Sequence, residues 1–378
     1  MKKALLFIAI MYPLMSTAQS KKPIPKTFDL VVGTYTTGTS KGIMVYRFYT
    51  QSGKLAYLSQ IDGVTNPSYL QVSKNNKFIY AVNELPKGEV SAFAFEPKTG
   101  KIDFINKQSS LGADPCYIAV DKAQKNAFIA NYSSGQVTVM PINKDGSLGN
   151  GIETVRNEEG KGPNKERQEG PHAHMSILSP DEKFLFYNDL GTDRINIYRF
   201  RPGKDSPITP ANPAFVSVTP GSGPRHLEYS LDKKQAYLVT EMGSNIFVFD
   251  YDNGKFKQKQ VVTLLPDGFT GQTAAAAIHL SPDGRFLYAS NRLDTNDISC
   301  FAVNQETGEL TFVSRQSTYG KNPRDFAIDP TGNYLVVANQ GSDNMFVFKI
   351  DQNSGKLYQT GIKVDIGNPV CLKFTSAE

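Results

Sequence analysis

The four histidines of this chain are unevenly placed. His172 and His174 flank a single alanine, His226 directly follows Arg225, and His279 stands alone inside an apolar run. An imidazole titrates near neutrality, so it can take up or give back a proton without special tuning. A guanidinium offers paired N–H donors to a carboxylate, a phosphate or an oxyanion that develops during reaction. A carboxylate among such groups can act as a base or hold them in orientation. His172, His174, Arg225, His226, Glu241 and Arg292 are therefore the candidate site residues, and Arg324, at the repeat position of Arg225, is a further candidate contact. The chemistry such groups could perform is proton transfer by an imidazole or carboxylate base, with guanidinium groups stabilising an anion. Arg225 and Arg292 could equally serve as staples if they only pair with Glu241 or with aspartates. A His-x-His pair is also half of a metal site. No cysteine or carboxylate completes it at a suitable spacing, so neither metal nor cofactor is expected. His279, in mid-strand, is expected to be packed or hydrogen-bonded. There is no phosphate-binding glycine loop, nucleophile elbow or Cys–His motif, which argues against a covalent serine or cysteine hydrolase.

These residues can meet only if the chain brings distant segments together, and a repeat supplies the means. Asn66 to Glu84 (NPSYLQVSKNNKFIYAVNE), Asp114 to Tyr132 (DPCYIAVDKAQKNAFIANY), Gly223 to Glu241 (GPRHLEYSLDKKQAYLVTE) and Asn322 to Gln340 (NPRDFAIDPTGNYLVVANQ) are versions of one segment. Looser copies start at His172 and Ala275, and a half-copy, NPVCLKFTS, ends the chain. In each full copy an apolar run, a polar turn and a second apolar run predict a β-hairpin. A third segment that alternates apolar with polar residues follows, as in GEVSAFAFE and SNIFVFDY, and in most copies a fourth; such alternation marks strands with one buried face. Four strands per unit is one propeller blade. The anchors Pro67, Pro115, Ala173, Pro224, Ala275, Pro323 and Pro369 lie about 50 residues apart, a spacing within the propeller range. The first segment lacks a leading strand and the last is a leading strand without a blade. Joined, they close a ring of seven. The predicted fold is all-β, a seven-bladed β-propeller over residues 28–378, closed by the C-terminal strand in the N-terminal blade.

Within the repeat, Ser68, Cys116, His174, Arg225, Ala276, Arg324 and Val370 are equivalent, and so are Glu84, Tyr132, Leu190, Glu241, Arg292 and Gln340. Both sets should surround the central channel. The polar insertion Arg156 to Gly170 (RNEEGKGPNKERQEG) interrupts the period just before His172. It is either a solvated loop or a rim over the channel.

The remaining features bound the class. Net charge is +5 with scattered signs, so there is no basic stripe for nucleic acid. Lys2 and Lys3, an apolar run from Ala4 to Met15 and the small residues Ser16 to Ala18 predict a signal peptide over residues 1–18. Residues 19–27 should form a loose leader, and the mature chain should be an exported monomer without a membrane span, periplasmic or extracellular. The three cysteines cannot all pair and match no metal spacing; each lies in an apolar run and reads as a buried small hydrophobe.

The motifs VGTYT with GIMVYRF, GPHAH, SPDEKFLFYNDLG, GPRHL, LPDGFTG, SPDGRFLYASNR and NPRDFAIDPTGNYLVVANQ resemble the seven-bladed lactonase family. That family includes propeller-type 6-phosphogluconolactonases and the fungal carboxy-muconate lactonizing enzyme. The resemblance runs from Phe28 onward. It implies a metal-independent site in the channel mouth whose His, Arg, Glu and Arg fall on His174, Arg225, Glu241 and Arg292. Many relatives carry an acidic residue where Ala277 stands. Hydrolysis of a sugar or sugar-acid lactone, possessing an anionic group or not, is the expected activity. A muconate-type cyclising lyase and a non-catalytic exported propeller that binds carbohydrate or protein are the alternatives.

Overall fold

The computed structural model describes residues 25–157, 160–204 and 206–375. The predicted signal peptide and residues 19–24 of the leader lie outside them. The strands assemble into seven four-stranded antiparallel sheets. Their innermost strands are Pro369–Phe374, Leu70–Val72, Pro115–Val120, Ala173–Leu178, Pro224–Tyr229, Thr273–Leu280 and Pro323–Ile328, in blades 1 to 7. Each inner strand touches the inner strands of both neighbouring blades, and the last touches the first, so the ring is closed. Closure is made as the sequence predicts. Leu30, Val31, Val32 and Gly33 pair antiparallel with Phe374, Lys373, Leu372 and Cys371. Gly33 is required there, because a Cβ would collide with the Pro67 carbonyl of the next blade. The N-terminal strand begins at Thr27, and Thr50 bonds the backbone of Lys26, so the end of the expected leader is already part of blade 1.

Local chemistry explains why each unit is a hairpin. Ser73, Ser179, Ser230 and Ser281 each sit at the first turn and accept a bond from the amide five residues on, at 2.9–3.0 Å. In three of these turns the serine also donates to an aspartate two residues later, at 2.6–2.7 Å. Such side-chain turns fix the strand reversal before any long-range contact forms. Between blades the packing is aromatic and aliphatic. Phe186 meets Phe256 edge-on at 5.0 Å. The hydroxyls of Tyr237 and Tyr288 donate to Gly308 and Gly355 of the following blades at 3.0 and 2.8 Å. Buried asparagines tie blades together as well: Asn83, Asn131 and Asn339 donate to the carbonyls of Thr65, Ser110 and Thr318. Three free cysteines, Cys116, Cys300 and Cys371, are buried, as expected.

His279 is the inter-blade tie that titrates. It lies between Glu228 of blade 5 and Asp325 of blade 7, with Nδ1 3.6 Å from one carboxylate and Nε2 3.4 Å from the other. Asp325 also accepts the Leu372 amide at 2.8 Å, and Lys373 lines the same end of the channel. Burial alone would lower the His279 pKa, but Asp325 and Glu228 together raise it above the usual value. A raised folded-state pKa stabilises fully below the unfolded value of about 6.5 and is lost as pH climbs through the raised one. Wild-type melting temperature should therefore decline on the alkaline side of neutrality relative to His279→Gln. Parallel melting curves for the two proteins across that range would contradict it.

Candidate functional site: a buried carboxylate among guanidinium groups

A β-bulge in the inner strands aims the site. In blade 4 the register skips between Ala173 and Met175, in blade 5 between Pro224 and His226, and in blade 7 between Pro323 and Asp325. The residues left unpaired are His174, Arg225 and Arg324, and a bulge of this kind turns the extra side chain out of the sheet alternation. Blade 3 bulges at Cys116, and blade 6 at Ala276 and Ala277. A second ring stands just above. Tyr35, Tyr132, Leu190, Glu241 and Gln340 each donate their backbone amide to the residue that precedes their own inner strand, at 2.7–3.1 Å, and Glu84 donates to Asn66 at 3.0 Å, a few residues ahead of Leu70. The bulge positions and Glu84, Tyr132, Leu190, Glu241 and Gln340 thus recur as the repeat predicts, and Tyr35 joins the second set; in blade 6 the equivalent bond runs from the Asp294 amide to Gln272, while Arg292 lies within the strand opposite Ala274.

Glu241 is the hub. Its Oε2 lies 3.0 Å from Arg225 Nε, 3.0 Å from Arg292 Nη2 and 3.7 Å from His174 Nε2. Its Oε1 accepts from Arg167 Nη2 at 2.8 Å. The glutamate side chain is only 7 % exposed. Burial would raise its pKa, but Arg292, Arg225, His174 and Arg167 outweigh burial and hold it well below the carboxylate range. Arg225 is itself buried, and burial together with Arg292 and Arg324 brings its pKa down to about 10, which leaves it charged at neutrality. Its Nη1 donates to the Ala276 carbonyl at 2.6 Å, while Arg292 donates Nε and Nη2 to Ala274 and Ala275. The alanines of blade 6 therefore supply carbonyls where other blades supply side chains. These bonds use Nε and Nη1 of Arg225 and Nε and Nη2 of Arg292. The remaining terminal nitrogen of each is the one suited to meet a substrate oxygen.

His174 is buried, and burial followed by the Arg225 charge pushes its pKa well below the usual value. It is neutral at pH 7. Its Nδ1 faces Cys116 Sγ at 3.8 Å, and burial pushes that thiol up, so it stays protonated. The Nε2 gap of 3.7 Å to Glu241 exceeds a hydrogen bond.

The other expected residues take different places. His172 stacks on Tyr132 at 4.6 Å, with Nδ1 on the Tyr132 carbonyl and Nε2 3.0 Å from Glu169. Both ring nitrogens have protein partners, and His172 and His174 turn to different neighbours. His226 lies beneath Arg225, edge-on to His174, Tyr117 and Tyr69. It forms floor. Arg324 stands on the opposite wall over the Tyr35 ring at 5.5 Å, and Tyr35 donates its hydroxyl to Glu84 at 2.8 Å. The residues that sequence reasoning did not single out are Arg167, Tyr35 and Glu84. Glu84 occupies the repeat position of Glu241, so the repeat carried its signal. Arg167 lies in the insertion, where no register exists to mark it.

A family model for the seven-bladed β-propeller lactonases matches residues 29–374. The chain belongs to that family. It is similar to the 6-phosphogluconolactonase of Bacillus subtilis, with 37 % identity over 91 % of this chain and 97 % of the relative. A 6-phosphogluconolactonase of Formosa agariphila is 34 % identical over 84 % of this chain and 90 % of its own length. Among solved structures, the periplasmic gluconolactonase of Pseudomonas aeruginosa superposes with a TM-score of 0.89 at 38 % identity, covering 93 % of this chain and 99 % of that one. In this chain Glu241 organises the mouth of the channel.

Removing the charge of Glu241 would leave Arg225 and Arg292 buried without an anion. Breaking a buried pair in this way costs about 3–5 kcal/mol. Glu241→Gln should lose stability of that order in denaturant titration at neutral pH. A change within error of zero would show that the arginines do not need the carboxylate.

Proposed function

We propose that the protein hydrolyses a sugar lactone by metal-independent general-base catalysis in the channel mouth. Water attacks the lactone carbonyl carbon while its proton passes to His174 Nε2. Negative charge collects on the carbonyl oxygen, which Arg225 and Arg292 are placed to stabilise. The ring C–O bond then breaks, the ring oxygen takes the proton back from His174, and the product is the open-chain hydroxy acid. Glu241 is a poor base, because guanidinium groups hold it ionised. Its role is to stabilise the imidazolium as it forms, 3.7 Å away. The single observation that carries this reading is a neutral, buried imidazole beside a carboxylate that three guanidinium groups hold ionised. The activities named for the Bacillus, Formosa and Pseudomonas relatives supply the substrate class.

The same reading places the mature protein outside the cytoplasm. The basic, apolar and small-residue order of residues 1–18 supports export, and the Pseudomonas neighbour is a periplasmic enzyme. Protein recovered from the periplasm or medium should begin at Gln19 by N-terminal sequencing; recovery of only full-length chain from the cytoplasm would contradict export.

General-base assistance is worth roughly 10²–10⁴ in rate. His174→Ala should lower lactone turnover by about that factor with little change in melting temperature. The wild-type rate should also stay level as pH falls through about 6.5, since the base has its pKa depressed. Undiminished turnover in the variant, or a rate break at the ordinary histidine value, would remove His174 from this role.

A further inference from the structure

Of the cations around Glu241, Arg167 differs in origin and exposure. His174, Arg225 and Arg292 come from the blade repeat, whereas Arg167 comes from the insertion between blades 3 and 4. Its side chain is 44 % exposed, against 2 % for Arg225 and 12 % for Arg292. The backbone beneath it is fixed all the same. The next residue, Gln168, is fully buried, donates Nε2 to the Leu190 carbonyl at 2.9 Å and accepts the Asn164 amide at 3.2 Å. Gly162 leaves room for that amide, since a Cβ there would overlap the Gln168 side chain. The insertion is thus a seated rim with one solvent-facing arginine over the site. Arg167 also reaches the Tyr132 hydroxyl at 3.2 Å.

Charge bookkeeping gives this arginine a task. Arg167, Arg225, Arg292 and Arg324 act on two carboxylates, Glu241 and Glu84. Glu169, which also feels Arg167, is a third carboxylate at the rim, so the four guanidinium groups outnumber the carboxylates by one. Glu241 Oε2 already has Arg225 and Arg292, so Oε1 can lose Arg167 without leaving the carboxylate unpaired. An anion arriving from solvent meets Arg167 first. A terminal oxyanion is a better partner for it than a carboxylate that two other guanidinium groups already satisfy.

We infer that Arg167 is a specificity residue that leaves Glu241 to clamp a second anionic group, phosphate or carboxylate, on the lactone. This rests on the mouth being the lactonase site. The transfer leaves Oε1 open to a substrate hydroxyl, so binding of the correct substrate completes the site. The remote anion is held at the rim while the carbonyl lies deeper, between His174 and the buried arginines.

Binding of open-chain acids tests this without requiring turnover. Calorimetry would compare 6-phosphogluconate, glucarate and gluconate on the wild type, Arg167→Gln and Arg167→Lys. The wild type should bind 6-phosphogluconate or glucarate at least about tenfold more tightly than gluconate, the size of one charge-assisted hydrogen bond. Whichever of the two shows the gain identifies the second anion. Arg167→Gln should abolish the gain and Arg167→Lys should keep part of it. Equal wild-type affinities for all three acids would overturn the proposal. So would an equal loss for all three in Arg167→Gln, since Arg167 would then act only by holding Glu241. Lactone turnover measured alongside separates the two readings: preferential binding without any hydrolysis defeats the lactonase assignment and leaves the clamp standing.

Discussion

A carboxylate taken out of water is costly unless several donors replace the solvent, and the mouth of this propeller is arranged around one such group. Glu241 comes from the end of the second strand of blade 5, Arg225 from the bulge of the same blade, Arg292 from blade 6, His174 from blade 4 and Arg167 from the insertion. No two adjacent blades suffice to make it. Blades 4, 5 and 6 must pack with their bulges in place before those groups meet, so the site depends on packing between blades. Each partner also depends on the others: without the arginines the carboxylate would protonate, and without the carboxylate two buried guanidinium groups would lack an anion.

The same network sets the protonation states that chemistry needs. Burial and Arg225 keep His174 neutral. Three guanidinium groups keep Glu241 ionised, 3.7 Å away. A neutral base next to a fixed anion is poised to accept a proton, because the cation it becomes is stabilised on arrival. The scaffold contributes rigidity: His174 and Arg225 sit on strand bulges, Arg292 on a strand and Glu241 directly after one, while Arg167 comes from the insertion. Repetition with local variation then does the rest. Equivalent bulge positions carry Cys116, His174, Arg225, the Ala276–Ala277 pair and Arg324. One wall can thus present cations while another offers only backbone carbonyls to receive them.

The two ends of the channel are built differently. The upper mouth carries a surplus of positive charge. The lower end balances His279 and Lys373 against Glu228 and Asp325. Between them His226, Tyr117 and Tyr69 stack into a floor, with Tyr69 and Tyr117 4.1 Å apart. This floor separates a charge-rich mouth from a tie between blades, and each of the four histidines has a different set of neighbours.

The sequence by itself determined the blade count, the closure and the two rings that face the channel. A repeat encodes its own local geometry: the Ser-x-Asp turns and alternating strands fold each copy the same way, so equivalent positions must point to equivalent places. That is why residues around the channel could be grouped before any coordinate, and the resemblance to the family then picked out His174, Arg225, Glu241 and Arg292 among them. Tertiary structure alone decided the partners. Repeat register says that His172 and His226 lie near the channel, but not that one is held by Tyr132 and Glu169 and the other lies under Arg225. It says nothing of Arg167, because an insertion belongs to no repeat and its side chain reaches the hub only through the way Gln168 is buried beside it. Pairing between groups far apart in the chain depends on distances that spacing does not encode, and those distances exist only once neighbouring blades have packed.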